Sequence, residues 1–108
     1  LLRESPPAVV RGLANALTDP EDEVRRRGAR TLALFGPGAA PAADALLKAA
    51  AGDKLKDVRV DAVRAFGSAL GPDLKGRIKD LLGLMADPDF EVRIAVADKL
   101  ADDLEHRH

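Results

Sequence analysis

The chain repeats itself every 34 residues, and no other feature limits its possible folds as much. Asp19, Asp53 and Asp87 share one register, as do Leu13, Leu47 and Leu81 and the pairs Val24-Arg25, Val58-Arg59 and Val92-Arg93. Each unit reads Leu, then Asp six residues on, then Val-Arg five and six residues after that. A unit this short cannot enclose a core of its own, so neighbouring units must stack and share one. Three such units fill the 108 residues, a length that can bury a sizeable core.

Punctuation divides each unit into two helices. Pro6-Pro7 can open the first, because proline is tolerated in an initial turn. Asp19-Pro20 and Asp87-Pro88 place a capping side chain directly before a first-turn proline, and Asp53 caps likewise with Lys54 in the proline's place. Gly36-Pro37-Gly38 and Gly71-Pro72 stop the second helices. The expected helices run 6–18, 21–35, 41–51, 55–70, 73–86 and 89–104, in repeats of about 6–38, 39–72 and 73–104, with no strand. Residues 105–108 read as a tail or tag remnant, and both histidines, His106 and His108, lie there. A start at Leu1-Leu2 without an initiator Met fits an excised or processed segment. Those two residues align with Phe35-Gly36, as the end of an earlier helix would.

Composition agrees with closely spaced helices. The apolar fraction of 46% comes from Ala, Leu and Val, with Phe35, Phe66 and Phe90 as the only aromatics. Small aliphatics suit helix contacts better than a β-sandwich. Basic and acidic residues number 17 and 18, so no global field draws the chain to nucleic acid or an anionic membrane. Cysteine is absent, no apolar run reaches membrane-span length and no signal peptide is visible, which together predict a cytoplasmic protein.

On the second helix of each unit two apolar stripes are visible. Val24, Gly28, Thr31, Leu32 and Phe35 form the first, repeated by Val58, Ala62, Ala65, Phe66 and Ala69, then by Val92, Val96 and Leu100. This stripe is expected to pack on the helix preceding it. The other stripe holds Arg26, Ala29 and Ala33, then Val60, Val63 and Gly67, then Ile94, Ala97 and Ala101, and it is expected to meet a neighbouring unit. Arg26, standing where the later units have Val and Ile, predicts that the first unit is the less covered one. Gly28 inside a helix costs about 1 kcal/mol against alanine and calls for a packing reason.

With these residues in view, the pattern resembles the HEAT-repeat superfamily, especially its short phycobilisome-lyase-like class. The matching run is Leu13-Ala14-Asn15-Ala16-Leu17-Thr18-Asp19 leading to Val24-Arg25, with Ala29, Leu32 and Gly36 downstream. The later units match through Asp53, Val58-Arg59 and Phe66-Gly67, then Asp87, Val92-Arg93 and Leu100, so the resemblance covers about residues 6–104. It implies an all-α, right-handed superhelical solenoid of three stacked helical hairpins, six helices in all, serving as an interaction scaffold. Tetratricopeptide repeats share the period, but their first helix needs Trp and Tyr, and this chain has neither. Asp and Arg six residues apart lie about 240° apart around an ideal helix, which disfavours a pair within one helix. The resemblance implies instead a structural ladder of Asp19, Arg25, Asp53, Arg59, Asp87 and Arg93, in which each Arg reaches an adjacent repeat while Asp orders its turn.

Catalytic devices are hard to assemble from this sequence. Serine occurs only at Ser5 and Ser68, with no Cys or internal His to activate it. No Gly-rich phosphate loop is present, and Asp19-Pro20-Glu21-Asp22-Glu23 lacks the glycine and closing spacing of a calcium loop. A non-enzymatic protein with no catalytic residue, no metal ligand and no cofactor is therefore expected. After both stripes are covered, one arc of the second helices is left over. It carries Arg27, Arg30 and Leu34, then Asp61, Arg64 and Ser68, then Ala95, Asp98 and Asp102. The resemblance puts this arc on a concave face. Arg27, Arg30, Arg64, Asp61 and Asp98 are its candidate contacts to a protein or peptide partner, and further repeats of the same parent chain are a second kind of partner. An accessory or lyase-like subunit of an enzyme is the alternative. Nucleic-acid binding is disfavoured for want of a broadly basic groove and aromatic platforms.

Overall fold

The computed structural model describes residues 7–105, and among them there is no strand. The α-helices are α1 (Pro7–Ala16), α2 (Asp22–Leu34), α3 (Ala43–Gly52), α4 (Lys56–Leu70), α5 (Ile78–Gly83) and α6 (Phe90–Glu105). Three 3-10 segments, Gly36–Ala42, Gly71–Arg77 and Leu84–Ala86, join or extend them. No helix among the described residues is long and apolar enough to cross a membrane. Glu105, the first residue of the expected tail, is the last residue of α6. The rest of the expected tail, 106–108, lies outside the described residues, as do Leu1-Leu2 and the expected helix start at Pro6.

The recurring aspartate does not cap its helix as the sequence predicted. Asp19 accepts the Glu21 N–H at 2.8 Å, Asp53 the Leu55 N–H at 2.9 Å, and Asp87 the Asp89 N–H at 2.8 Å. Each carboxylate folds the turn ahead of the helix, as an aspartate mimicking a backbone turn does. The N-caps of α2 and α4 are Glu21 and Leu55, neither with a side-chain bond. The glycine stops do form. Gly36 and Gly71 take positive φ of 54° and 51°, a conformation that costs any residue with a Cβ.

Two expected helices differ from those found. In place of a helix over 73–86 the chain makes a 3-10 turn, the six-residue α5 and a second 3-10 turn. Gly76 and Gly83 interrupt that stretch and weaken helical propagation. The helix expected from 41 begins at Ala43, and Pro41 sits in the preceding 3-10 segment.

Helix α4 is the centre of the molecule. It packs on α2, α3, α6 and the 3-10 segment Gly36–Ala42. Phe66 is its largest fully buried side chain, and Leu32 of α2, Leu46 of α3, Leu81 of α5 and Val96 of α6 complete the core. Close approach explains Gly28: a Cβ there would lie 3.0 Å from the Ala16 Cβ of α1 and 3.4 Å from the Leu13 carbonyl oxygen.

Coverage of the two stripes varies along the chain. Val58 and Val92 are fully buried, but Val24 in the first unit is 40% exposed. The other stripe reverses this order. Val60 is 9% exposed, whereas Ile94 is 53% exposed, with Ala97 and Ala101 open beside it. The uncovered second stripe thus belongs to the third unit, not to the first as Arg26 had suggested. Helix α4 lies against α2, and α6 lies against α4, but no described element covers the far side of α6.

Candidate functional site

Two polar systems run across α2, α4 and α6, one inside and one at the surface. The inner one joins consecutive units. Arg25 donates from Nε to Asp53 Oδ2 at 2.8 Å and more weakly from Nη2 to Oδ1 at 3.4 Å. Arg59 repeats this on Asp87 at 2.8 and 3.3 Å. The remaining guanidinium arm turns back to its own unit: Arg25 donates to the Asp19 carbonyl at 2.9 Å, Arg59 to the Asp53 carbonyl at 2.8 Å, and Arg93 to the Asp87 carbonyl at 2.7 Å. Arg25 and Arg59 therefore tie the turn of their own unit to the turn aspartate of the next, with the planar fork gripping a carboxylate through two bonds. The sequence did not show the carbonyl contacts, nor the bond from Arg25 to Asp22. A three-residue spacing on α2 was the available signal for that last pair.

Burial makes these links matter. The side chains of Arg25, Asp53 and Asp87 are almost fully covered, and Arg59 is only slightly more open. Desolvation pushes the Asp87 carboxyl up, but the Arg59 hydrogen bond, the Asp89 N–H and the charges of Arg59 and Arg93 outweigh it and hold its pKa below the ordinary value. The hydrogen bond to Asp53, followed by that to Asp22, holds the Arg25 pKa above its ordinary value. The ladder is open at both ends. Among the described residues the Asp19 carboxylate bonds no arginine and Arg93 makes no hydrogen bond or ion pair to a carboxylate.

The surface system holds the five candidate contact residues, and the structure treats them differently. Arg27 is exposed and donates to Glu23 at 2.8 Å, which holds the Glu23 pKa below its ordinary value. Arg30 is exposed and stands 3.3 Å from Asp61. Asp61 is 8% exposed, covered by Arg30 and by Arg26 at 3.7 Å. Its Oδ2 and the Arg26 Nε are buried without a hydrogen bond, so this carboxylate serves the α2–α4 contact and offers little to a partner. Arg64 and Asp98 are exposed and make no ion pair among the described residues. They line one shallow depression floored by Ala95, beside Lys99 and Asp102, between α4 and α6. Lys99 lays its stem over Gly67, where a Cβ would come within 2.6 Å of it.

The run Arg25-Arg26-Arg27 with Arg30 is consequently not a free basic patch, since every member has a carboxylate within 4.0 Å. Sequence reasoning also missed Arg77, which bonds Asp80 at 2.6 Å and Asp44 at 2.9 Å and lies 5.5 Å from the centre of the Phe66 ring. No cluster of three or more His, Cys, Asp or Glu that could hold a metal occurs among the described residues. No family model matches the chain, and no curated protein or solved structure matches it.

Proposed function

We propose that this chain is a non-catalytic scaffold that binds a protein segment along the face formed by α2, α4 and α6. Its architecture in this reading is a HEAT-like, right-handed solenoid of three stacked helical hairpins. The 34-residue period supports it, as does the same Arg-to-Asp link made twice between consecutive units. The shortest dimension of 19 Å, about two helix diameters, suits two helical layers.

One observation carries the binding reading: Arg64 and Asp98 stand exposed at one depression with no ion pair among the described residues, while most neighbouring charges are already neutralised. Opposite charges left open side by side suit a partner segment that brings both signs. Arg64 and Arg30 would hold its acidic end, and Asp98 would receive its basic end. Asp61 has no direct role in this arrangement, because Arg30 and Arg26 cover it. Nucleic acid suits the surface poorly, since the arginines of α2 are matched by carboxylates and no exposed aromatic lies along the strip.

The test is selection of a displayed random-peptide library on the intact chain, followed by affinity measurement on the double variant R30E/R64E. Selected peptides should carry Asp or Glu at one end, and the double reversal should weaken them about tenfold or more, mainly through slower association at low salt. Equal affinity for both proteins would remove this face from the function.

A further inference from the structure

The two ends of the molecule carry the two halves of an interface that it already makes twice internally. Between the first and second units Arg25 grips Asp53, and Arg30 faces Asp61 at 3.3 Å. Between the second and third, Arg59 grips Asp87 while Val60 and Val63 are buried. Advancing each position by one 34-residue period puts Arg93, Ile94, Ala97 and Asp98 on the donor side of a third such contact. The receiving side, stepped back to the first unit, is Asp19, Val24 and Arg27.

Every one of those positions is open. Among the described residues the Arg93 guanidinium bonds only the Asp87 carbonyl, and the Asp19 carboxylate takes only the Glu21 N–H. Ile94 and Val24 are the exposed members of rows buried elsewhere in the chain. Phe90, one turn before Ile94, is 60% exposed, where the preceding unit has Lys56 bonded to Glu91. Among the described residues Asp98 has no ion pair, and Arg27 has only its exposed neighbour Glu23. The charges match in register too. Arg30 facing Asp61 becomes Asp98 facing Arg27, the same pair with its signs exchanged.

We infer that the open face of α6 receives the first unit of a second copy of this chain, head to tail. Arg93 then grips Asp19 of the second copy, Asp98 pairs with its Arg27, and Phe90, Ile94 and Ala97 cover its Val24. A partner of other chemistry would have to supply a turn carboxylate, an apolar side chain and a cation in one geometry, and the first unit of this chain presents all three. The contact joins two different surfaces, so it leaves one of each free and does not close on itself. It shares Asp98 with the α4–α6 depression, so a segment bound there competes with the second copy for that carboxylate, whereas R30E/R64E changes none of the residues of the copy contact.

Sedimentation velocity of the intact chain, from about 1 µM to about 1 mM, is the test. The mean mass should climb with concentration beyond that of two copies. I94E and V24E each place a charge in the contact and should weaken growth about tenfold or more. Both sites are exposed, so circular dichroism should show the fold kept. D98R alone and R27D alone should also weaken growth, and the combined D98R/R27D variant should recover it. A monomer at every concentration overturns the inference, as does growth that ignores I94E and V24E. Assembly that stops at two copies, or a charge exchange that recovers nothing, overturns the head-to-tail register.

Discussion

Arg59, which links the second unit to the third, is a position where the molecule should be sensitive to loss of one polar side chain. Truncation to alanine removes three hydrogen bonds together: 2.8 and 3.3 Å to Asp87 and 2.8 Å to the Asp53 carbonyl. Asp87 is then left almost fully covered, with the Asp89 N–H as its remaining hydrogen-bond donor. Breaking a buried pair on one side costs about 3–5 kcal/mol, because a charge stays behind without compensation. Arg59 is 13% exposed, so some water reaches the gap and the lower end applies, about 3 kcal/mol. Against a total stability of about 5–15 kcal/mol this is a large share, and it corresponds to a fall in Tm of about 12 °C or more. Arg93 supplies an internal control. It makes the same carbonyl contact, 2.7 Å to Asp87, but has no carboxylate beyond it. R93A should therefore lose only about 1 kcal/mol. Urea unfolding followed by far-ultraviolet circular dichroism, in dilute solution, measures both. Equal losses in R59A and R93A would show that the link between units contributes nothing.

Other outcomes follow from the same geometry. Asp87 has its pKa lowered from 3.8, so its contribution is complete above about pH 4 and is lost as the pH falls through the lower folded-state value. Urea midpoints between about pH 5 and pH 2 should fall in that range, and D87N should flatten the fall. G28A should destabilise by about 1 kcal/mol, since Ala16 and the Leu13 carbonyl cannot withdraw and the overpacking exceeds the gain in helix propensity. G67A should be neutral or stabilising by up to about 1 kcal/mol, because only the flexible Lys99 stem must move, and thermal melts of the two variants give the comparison. R77A should cost about 1 kcal/mol through loss of the Phe66 contact and two ion pairs that solvent reaches, measurable by the same urea titration.

The sequence carried more of the inner frame than of the surface, for physical reasons. The Asp and Arg positions recur with the units, so periodicity marks them. That each Arg reaches an adjacent repeat was implied only by the resemblance, and the pairs Arg25 with Asp53 and Arg59 with Asp87 come from the structure. Periodicity could not show that the third arginine arm returns to a backbone carbonyl, because carbonyls leave no trace in residue identity. The aspartates were misplaced as helix caps for a related reason. Asp-Pro is compatible with either a cap or a turn ahead of the cap, and residue identity alone does not choose between them. Asp61 shows the limit of helical-wheel reasoning. Its angle on α4 matches that of exposed Arg27, yet α2 lies alongside and Arg26 and Arg30 fold over it. The break-up of 73–86 was legible in Gly76 and Gly83, but leucines at helical spacing around them outweighed the glycines.

The binding face can be tested most directly by amide chemical-shift mapping of the isotope-labelled chain, titrated with an acidic-ended peptide from the library selection. The account predicts perturbations centred on Arg30, Arg64, Ala95 and Asp98, continuous across α2, α4 and α6. Perturbations confined to the opposite side, around the depression lined by Ala14, Asn15, Ala45 and Lys48, would contradict it.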